Sequence, residues 1–70
     1  MLETELSYYA NHRKRLIKKH YNKFIVIKGR KVIASYDTHA IAYAESIKTM
    51  SIGTFLIQHC APHYSHSLHY

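Results

Sequence analysis

The stretch Phe24–Tyr36, FIVIKGRKVIASY, decides the fold of this chain. Its two halves are rich in β-branched residues, which favour extended strands. Between them, Gly29 occupies the first central position of a two-residue turn, where a type II′ hairpin requires a positive φ. The stretch therefore predicts a tight β-hairpin whose loop is Gly29-Arg30.

This loop fixes which residues pair across the predicted hairpin. Ile27 should oppose Val32, and Val26 should oppose Ile33. One face then holds Ile25, Ile27, Val32 and Ala34. The other face holds Phe24, Val26 and Ile33. Because both faces are apolar, and a sheet covered on one side only shows cleaner alternation, we expect the helices on one face and another element or another molecule on the other.

An amphipathic helix is predicted on each side of the hairpin. Residues 3–21 carry apolar side chains at helical spacing, with Tyr21 closing the buried stripe and Asn22 as the exit. Asp37-Thr38 is typical of a helix N-cap, and the helix that follows runs roughly from His39 to Met50. Its predicted buried stripe consists of Ala40, Tyr43, Ala44, Ile47 and Met50.

The segment TFLIQ, residues 54–58, predicts a third strand, which we expect beside the first strand of the hairpin. The tail permits a short fourth strand and equally an irregular end. The predicted fold is α+β, helix–β-hairpin–helix–strand (α-β-β-α-β), with a small, mainly antiparallel sheet and helices on one face. Residues 1–62 form one domain, and residues 63–70 form a His-rich C-terminal tail.

Length and composition restrict the class of protein. A chain of 70 residues has a small core, so its stability is marginal without a disulfide, a metal or a partner. The single cysteine, Cys60, rules out an internal disulfide and favours a reducing cytoplasm. No apolar run approaches the roughly 18 residues that span a bilayer, and the acidic start MLETELSYY is unlike a signal peptide. We therefore expect a cytoplasmic protein with no membrane contact.

The charge is strongly positive, with ten Lys and Arg against four Asp and Glu, a formal net charge of +6. A surplus of this size favours soluble monomers or an acidic partner, and that partner is either nucleic acid or an acidic protein surface. The residues best placed to follow a phosphate backbone are Lys14, Arg15, Lys18, Lys19 and Arg30. Seven tyrosines offer stacking surfaces. No helix-turn-helix, KH or RRM signature is present, so nucleic-acid binding is the alternative hypothesis here, behind protein binding.

Catalytic chemistry has little support in the sequence. The four carboxylates suit helix termini, a cap and an outer helix face, and none has an obvious carboxylate neighbour. Cys60 adjoins His59, but neighbours in an extended chain point to opposite sides, so they cannot pair directly. We predict that the protein is not an enzyme and needs no cofactor and no small-molecule substrate.

The tail contains the candidate ligands of a metal site, namely His63, His66 and His69. A zinc site needs four rigidly held ligands, each supported by further hydrogen bonds. Pro62 and the serines argue against a helix that would align these imidazoles. We therefore predict no metal site.

Several segments together resemble a known family. They are Leu6, Tyr9 and His12 at helical spacing, then KFIVIKGRKVIASYDT, AYAES and GTFLIQHCAP. The match covers about residues 5 to 62. It is similar to a family of short uncharacterised bacterial and archaeal proteins, catalogued as a domain of unknown function. Genes of that family are often neighbours of a small retropepsin-like aspartic protease, so the resemblance implies a shared fold and a partner or regulatory role.

The first hypothesis is therefore a small non-enzymatic protein-binding or regulatory module that binds another protein or itself. Its predicted contact face consists of Phe24, Val26 and Ile33, which two helices on the opposite side of the sheet would leave uncovered. The alternative is a small basic nucleic-acid-binding protein that uses the first helix.

Overall fold

A computed structural model describes residues 2–61 and 67–68 of the chain. The elements are α1 (Glu3–Lys19), β1 (Phe24–Lys28), β2 (Lys31–Tyr36), α2 (His39–Ser46), β3 (Leu56–His59) and β4 (Ser67–Leu68). The strands form one sheet in the order β2-β1-β3-β4, and every neighbouring pair is antiparallel. The α+β fold, the order of its elements and the place of β3 beside β1 are confirmed.

The hairpin turn forms as predicted, but its register changes partway along the strands. Gly29 has a φ of 65°, and Ile27 pairs with Val32. The register then shifts, so that Val26 pairs with Ala34 and Ile33 is the extra residue of a β-bulge. The predicted pairing of Val26 with Ile33 is therefore wrong. A bulge inserts one residue, and every later side chain of that strand moves to the other face of the sheet.

The two helices cover opposite faces of the sheet, so the prediction of helices on one face is wrong. On one face, Tyr9 and Leu16 of α1 pack with Ile25, Ile27 and Leu56. The core residues of the other face, beneath α2, are Val26, Ala42, Phe55 and Ile57. The physical reason lies in β1, where three consecutive residues are fully buried. A strand buried on both sides needs cover on both sides.

The segment between α1 and β1 also differs from prediction. The helix ends at Lys19 with His20 as its C-cap, and Asn22 adopts a positive φ of 59°, which confirms Asn22 as the exit. Tyr21 lies in the turn and no longer follows the helical repeat. Its side chain is 64% exposed, so the prediction that Tyr21 closes the buried stripe is wrong.

The second helix begins where predicted and ends early. The Thr38 hydroxyl accepts a hydrogen bond from the Ile41 N–H at 3.1 Å, which confirms the N-cap. The buried residues of α2 are the small Ala42 and Ser46, one turn apart, which allow a close approach to the sheet. Tyr43 and Met50 of the predicted stripe are partly buried and pack against the same core. Ala40, Ala44 and Ile47 of the predicted stripe are exposed instead. Within residues 2–61 and 67–68, neither helix has the length and apolar character needed to cross a membrane.

Candidate functional site

The face predicted to bind a partner is not open. Val26 has no exposed surface and lies in the core beneath α2. Phe24 is half-buried, and its ring stacks on the His59 imidazole with centroids 4.3 Å apart and an interplanar angle of 6°. Only Ile33, the bulge residue, remains substantially exposed, at 42%. The structure therefore does not bring these three side chains together as one surface.

A groove of about 260 Å³ runs instead between α1 and the hairpin turn. Its lining residues are Tyr8, Arg15, Leu16, Lys19, His20, Arg30, Lys31 and Val32. Four of these eight are permanent cations, and none is a carboxylate. Two cations come from the helix and two from the turn. The groove therefore concentrates positive charge from two different elements of the fold.

The helical side of the groove is organised by a contact within α1. The Arg15 guanidinium donates a hydrogen bond to the Tyr8 hydroxyl at 3.2 Å. Residues seven apart lie two turns away on the same helix face, which makes this contact possible. The helix bends at His12, whose φ of −119° and ψ of 16° are not helical, and the Tyr8 and His12 rings meet edge to face at 4.6 Å. Tyr8 thus holds Arg15 across the bend.

The turn side of the groove is held by a carboxylate. Glu5 is 8% exposed, and its Oε2 accepts a hydrogen bond from the Gly29 N–H at 2.6 Å. The next two residues along the turn are Arg30 and Lys31, which line the groove. A charge-assisted hydrogen bond of this kind is stronger than a neutral one. The contact therefore fixes where the two turn cations lie relative to α1.

The cations predicted to bind nucleic acid divide into two sets. Arg15, Lys19 and Arg30 line the groove together. Lys14 and Lys18 are exposed on α1 outside it. Lys14 lines a neighbouring depression of about 550 Å³, which also includes Arg15, so the basic surface continues along the helix.

Three other lysines are engaged elsewhere in the molecule. Lys23 pairs with Asp37, and Lys48 pairs with Glu45 at 2.8 Å. The Lys28 ammonium donates to the Thr54 carbonyl at 3.3 Å. These contacts occupy cations that the sequence alone does not separate from those of the groove.

The surroundings of His20, the imidazole in the groove, shift its pKa. Partial burial, and then the charge of Lys19, lower the pKa of His20 below its ordinary value. Both causes disfavour a further positive charge among the cations of the groove. An anion that entered the groove would reverse the second cause, because it would favour the protonated imidazole.

Thiol chemistry is not supported by the site of Cys60. The side chain is completely buried, and burial raises the pKa of the Cys60 thiol to about 11. The thiolate is the nucleophilic form, so the thiol is inert at neutral pH. His59 instead shares a hydrogen bond of 3.0 Å with the Asn22 side chain.

The candidate metal ligands His63, His66 and His69 lie outside the described residues. In the part of the chain that the structure does describe, no group of three or more His, Cys, Asp or Glu side chains is arranged to hold a metal ion.

Sequence reasoning left Tyr8 and His20 out of the site. The spacing of Tyr8 and Arg15 was a usable signal, since it places both on one helix face. Nothing comparable pointed to His20, because its place in the groove depends on how the helix packs beside the turn. Comparisons of the chain with protein-family models, curated proteins and solved structures found no match. The resemblance to a domain of unknown function therefore stays a prediction.

Proposed function

We propose that this protein is a small, non-enzymatic module that binds the phosphate backbone of nucleic acid along the groove between α1 and the hairpin turn. The observation that carries the proposal is the convergence of Arg15, Lys19, Arg30 and Lys31 on one groove without a carboxylate. Arg and Lys side chains that neutralise phosphates release condensed counterions, which supplies most of the affinity of such binding.

The form of the groove supports a chain-like ligand over an enclosed small molecule. Pockets for drug-sized ligands are mainly apolar and measure about 300–1,000 Å³. This groove measures about 260 Å³ and is lined mainly by charged and polar side chains. The adjoining depression at Lys14 extends the basic surface along α1, as a linear polyanion would require.

Salt-dependent binding tests the proposal. A fluorescent oligonucleotide titrated with the protein at about 50 mM salt should bind, and its affinity should fall steeply as salt rises. Replacing Arg15→Gln or Arg30→Gln should each weaken binding by roughly tenfold and reduce the slope of log K against log salt by about 0.7–0.9.

A matched control separates the site from total charge. Lys48→Gln removes one positive charge as well, but from an exposed position in the turn that follows α2. It should change binding by less than about twofold, because exposed charges separated by more than a Debye length interact weakly. Equal losses in all three variants would mean that net charge alone attracts nucleic acid, and no binding at low salt would overturn the proposal.

Self-association is a second candidate function, and the outer face of α2 favours it. Ile41 and Ile47 are 48% and 42% exposed there. The Glu45–Lys48 ion pair belongs to the same segment, and its two charges cancel each other. Two copies could meet at this face across a two-fold axis, with Glu45 of each copy facing Lys48 of the other.

Light scattering coupled to size-exclusion chromatography tests this candidate over a range of protein concentrations. A dimer that Ile41→Asp abolishes, and that Ile52→Asp outside α2 leaves intact, would support it. A monomer at every concentration would contradict it. The change to aspartate is tolerable at both positions because both side chains are largely exposed.

A further inference from the structure

Tyr21 belongs to neither of the two core clusters of the described residues. It is 64% exposed, the second most exposed of the large apolar side chains in the described part of the chain. Its neighbour His20 lines the groove, and consecutive α-carbons are about 3.8 Å apart. An exposed aromatic residue therefore directly follows, in the chain, a residue that lines the cationic groove.

From this juxtaposition we propose that the groove takes single-stranded nucleic acid, with Tyr21 as the surface on which an unpaired base stacks. The inference rests on the proposed function and narrows it from nucleic acid in general to one class. Proteins that bind single strands without sequence preference combine a cationic track for the backbone with aromatic rings for the bases. Bases within a duplex are already stacked on each other and present no free face to Tyr21.

The backbone around Tyr21 suits a fixed platform. The turn is closed by the Asn22 N–H, which donates to the Cys60 carbonyl at 2.8 Å, and by the Lys23 N–H, which donates to the His20 carbonyl at 2.9 Å. Cys60 in turn donates its N–H to the Lys23 carbonyl at 2.9 Å. The turn is thereby tied to the end of β3. A ring on an anchored turn loses less freedom on binding than a ring on a loose loop.

The positions of the cations along the chain are compatible with phosphates in the groove and a base on Tyr21. Lys19 and His20 lie nearest to Tyr21 in the chain, and Arg30 and Lys31 line the groove from the turn. In the proposed complex, the phosphates of the strand contact these cations and the base at its end stacks on the ring. The Tyr21 hydroxyl is not needed for stacking, so the ring alone should carry the effect.

Fluorescence anisotropy with three labelled probes tests the inference. The probes are an oligothymidylate and an oligouridylate of about 12 nucleotides and a GC-rich duplex with the same number of phosphates. Both single strands should bind more tightly than the duplex. Tyr21→Ala should weaken binding of the single strands by roughly 5- to 100-fold, and Tyr21→Phe should retain it. The duplex affinity should not change in either variant.

The salt dependence distinguishes stacking from charge. Tyr21→Ala should leave the slope of log K against log salt unchanged for the oligothymidylate, whereas Arg15→Gln should reduce it. Tyr21→Trp would introduce the chain's first tryptophan, whose fluorescence should be quenched when a base stacks on it. Circular dichroism of each variant confirms that the fold is retained, as expected for an exposed position.

The outcomes separate this inference from the proposal on which it rests. Equal binding of duplex and single strands, together with no effect of Tyr21→Ala, would overturn the inference and leave the groove as a general phosphate site. An unquenched tryptophan in a bound complex would also overturn it. If none of the three probes binds at low salt, both the inference and the proposed function fail.

Discussion

The carboxylate of Glu5 accepts a hydrogen bond from the backbone N–H of Gly29 at 2.6 Å, and so joins the first turn of α1 to the tip of the hairpin. The two residues are 24 positions apart. Glu5 also stands in the first turn of α1, where its negative charge suits the helix dipole. One buried carboxylate therefore serves both the helix and the placement of Arg30 and Lys31.

Replacing Glu5→Ala should lower the free energy of unfolding by about 1–3 kcal/mol, because the change removes a charge-assisted hydrogen bond and leaves the Gly29 N–H without its acceptor. Urea denaturation measures this loss. Glu5→Gln keeps an acceptor oxygen and should lose less. The same Ala variant should bind oligonucleotides more weakly than wild type, since the turn cations are less well fixed. Stability unchanged from wild type would show that the contact contributes nothing to the fold.

Val26 and Ile33 should respond in opposite ways to the same substitution. Val26→Asp places a charge where no surface is exposed, so the chain should fail to fold, with a loss above about 3 kcal/mol. Ile33→Asp changes a bulge residue that is 42% exposed and should cost less than about 1 kcal/mol. Circular dichroism and urea denaturation compare the two variants. A folded Val26→Asp protein would contradict the presence of a core beneath α2.

His20 should make the fold less stable in acid. The pKa of His20 is lowered in the folded chain, so the unfolded chain binds this proton more readily. The contribution of neutral His20 to the free energy of unfolding is therefore fully present above the ordinary histidine pKa of about 6.5. It is lost as the pH falls through the lowered pKa of the folded chain. The groups that line its groove are Tyr8, Arg15, Lys19, Arg30 and Lys31.

The measurement is urea denaturation of wild type and His20→Gln between about pH 7 and 5. The difference between the two proteins isolates His20 from the other six histidines. Wild type should lose stability relative to the variant as pH falls. Oligonucleotide binding should show the opposite trend and strengthen, because a bound phosphate favours the protonated imidazole. Parallel stability curves would contradict the role given to His20.

Cys60 should be protected from alkylation in the native protein. The thiol is completely buried and its pKa is raised to about 11, so both access and the thiolate fraction are low. Iodoacetamide labelling at about pH 8, followed by mass spectrometry, should be slow in buffer and fast in urea. The urea sample is the control for intrinsic reactivity. Rapid labelling in buffer would mean that the end of β3 opens readily.

Much of the fold follows from local patterns in the sequence. Gly29 between two β-branched stretches gives the hairpin, and Thr38 gives the start of α2, because a turn and a cap depend on a few neighbouring residues. The sequence predicts less well which side chains of each strand are buried. The bulge at Ile33 moves Ala34 and the following residues to the opposite face of the sheet, and no residue type in the stretch predicts this bulge.

The candidate site likewise has features that the sequence predicts and features that depend on tertiary contacts. By itself, the sequence determined a basic chain of α+β class with a hairpin at Gly29 and a cationic first helix, since charge and local conformation belong to the residues themselves. Only the tertiary structure decided that the helices lie on opposite faces, that Val26 is buried, and that Arg30 and Lys31 meet Arg15 and Lys19. These outcomes depend on contacts between distant segments, such as that of Glu5 with Gly29. Contacts of that kind arise from how surfaces pack, and a local pattern does not encode them.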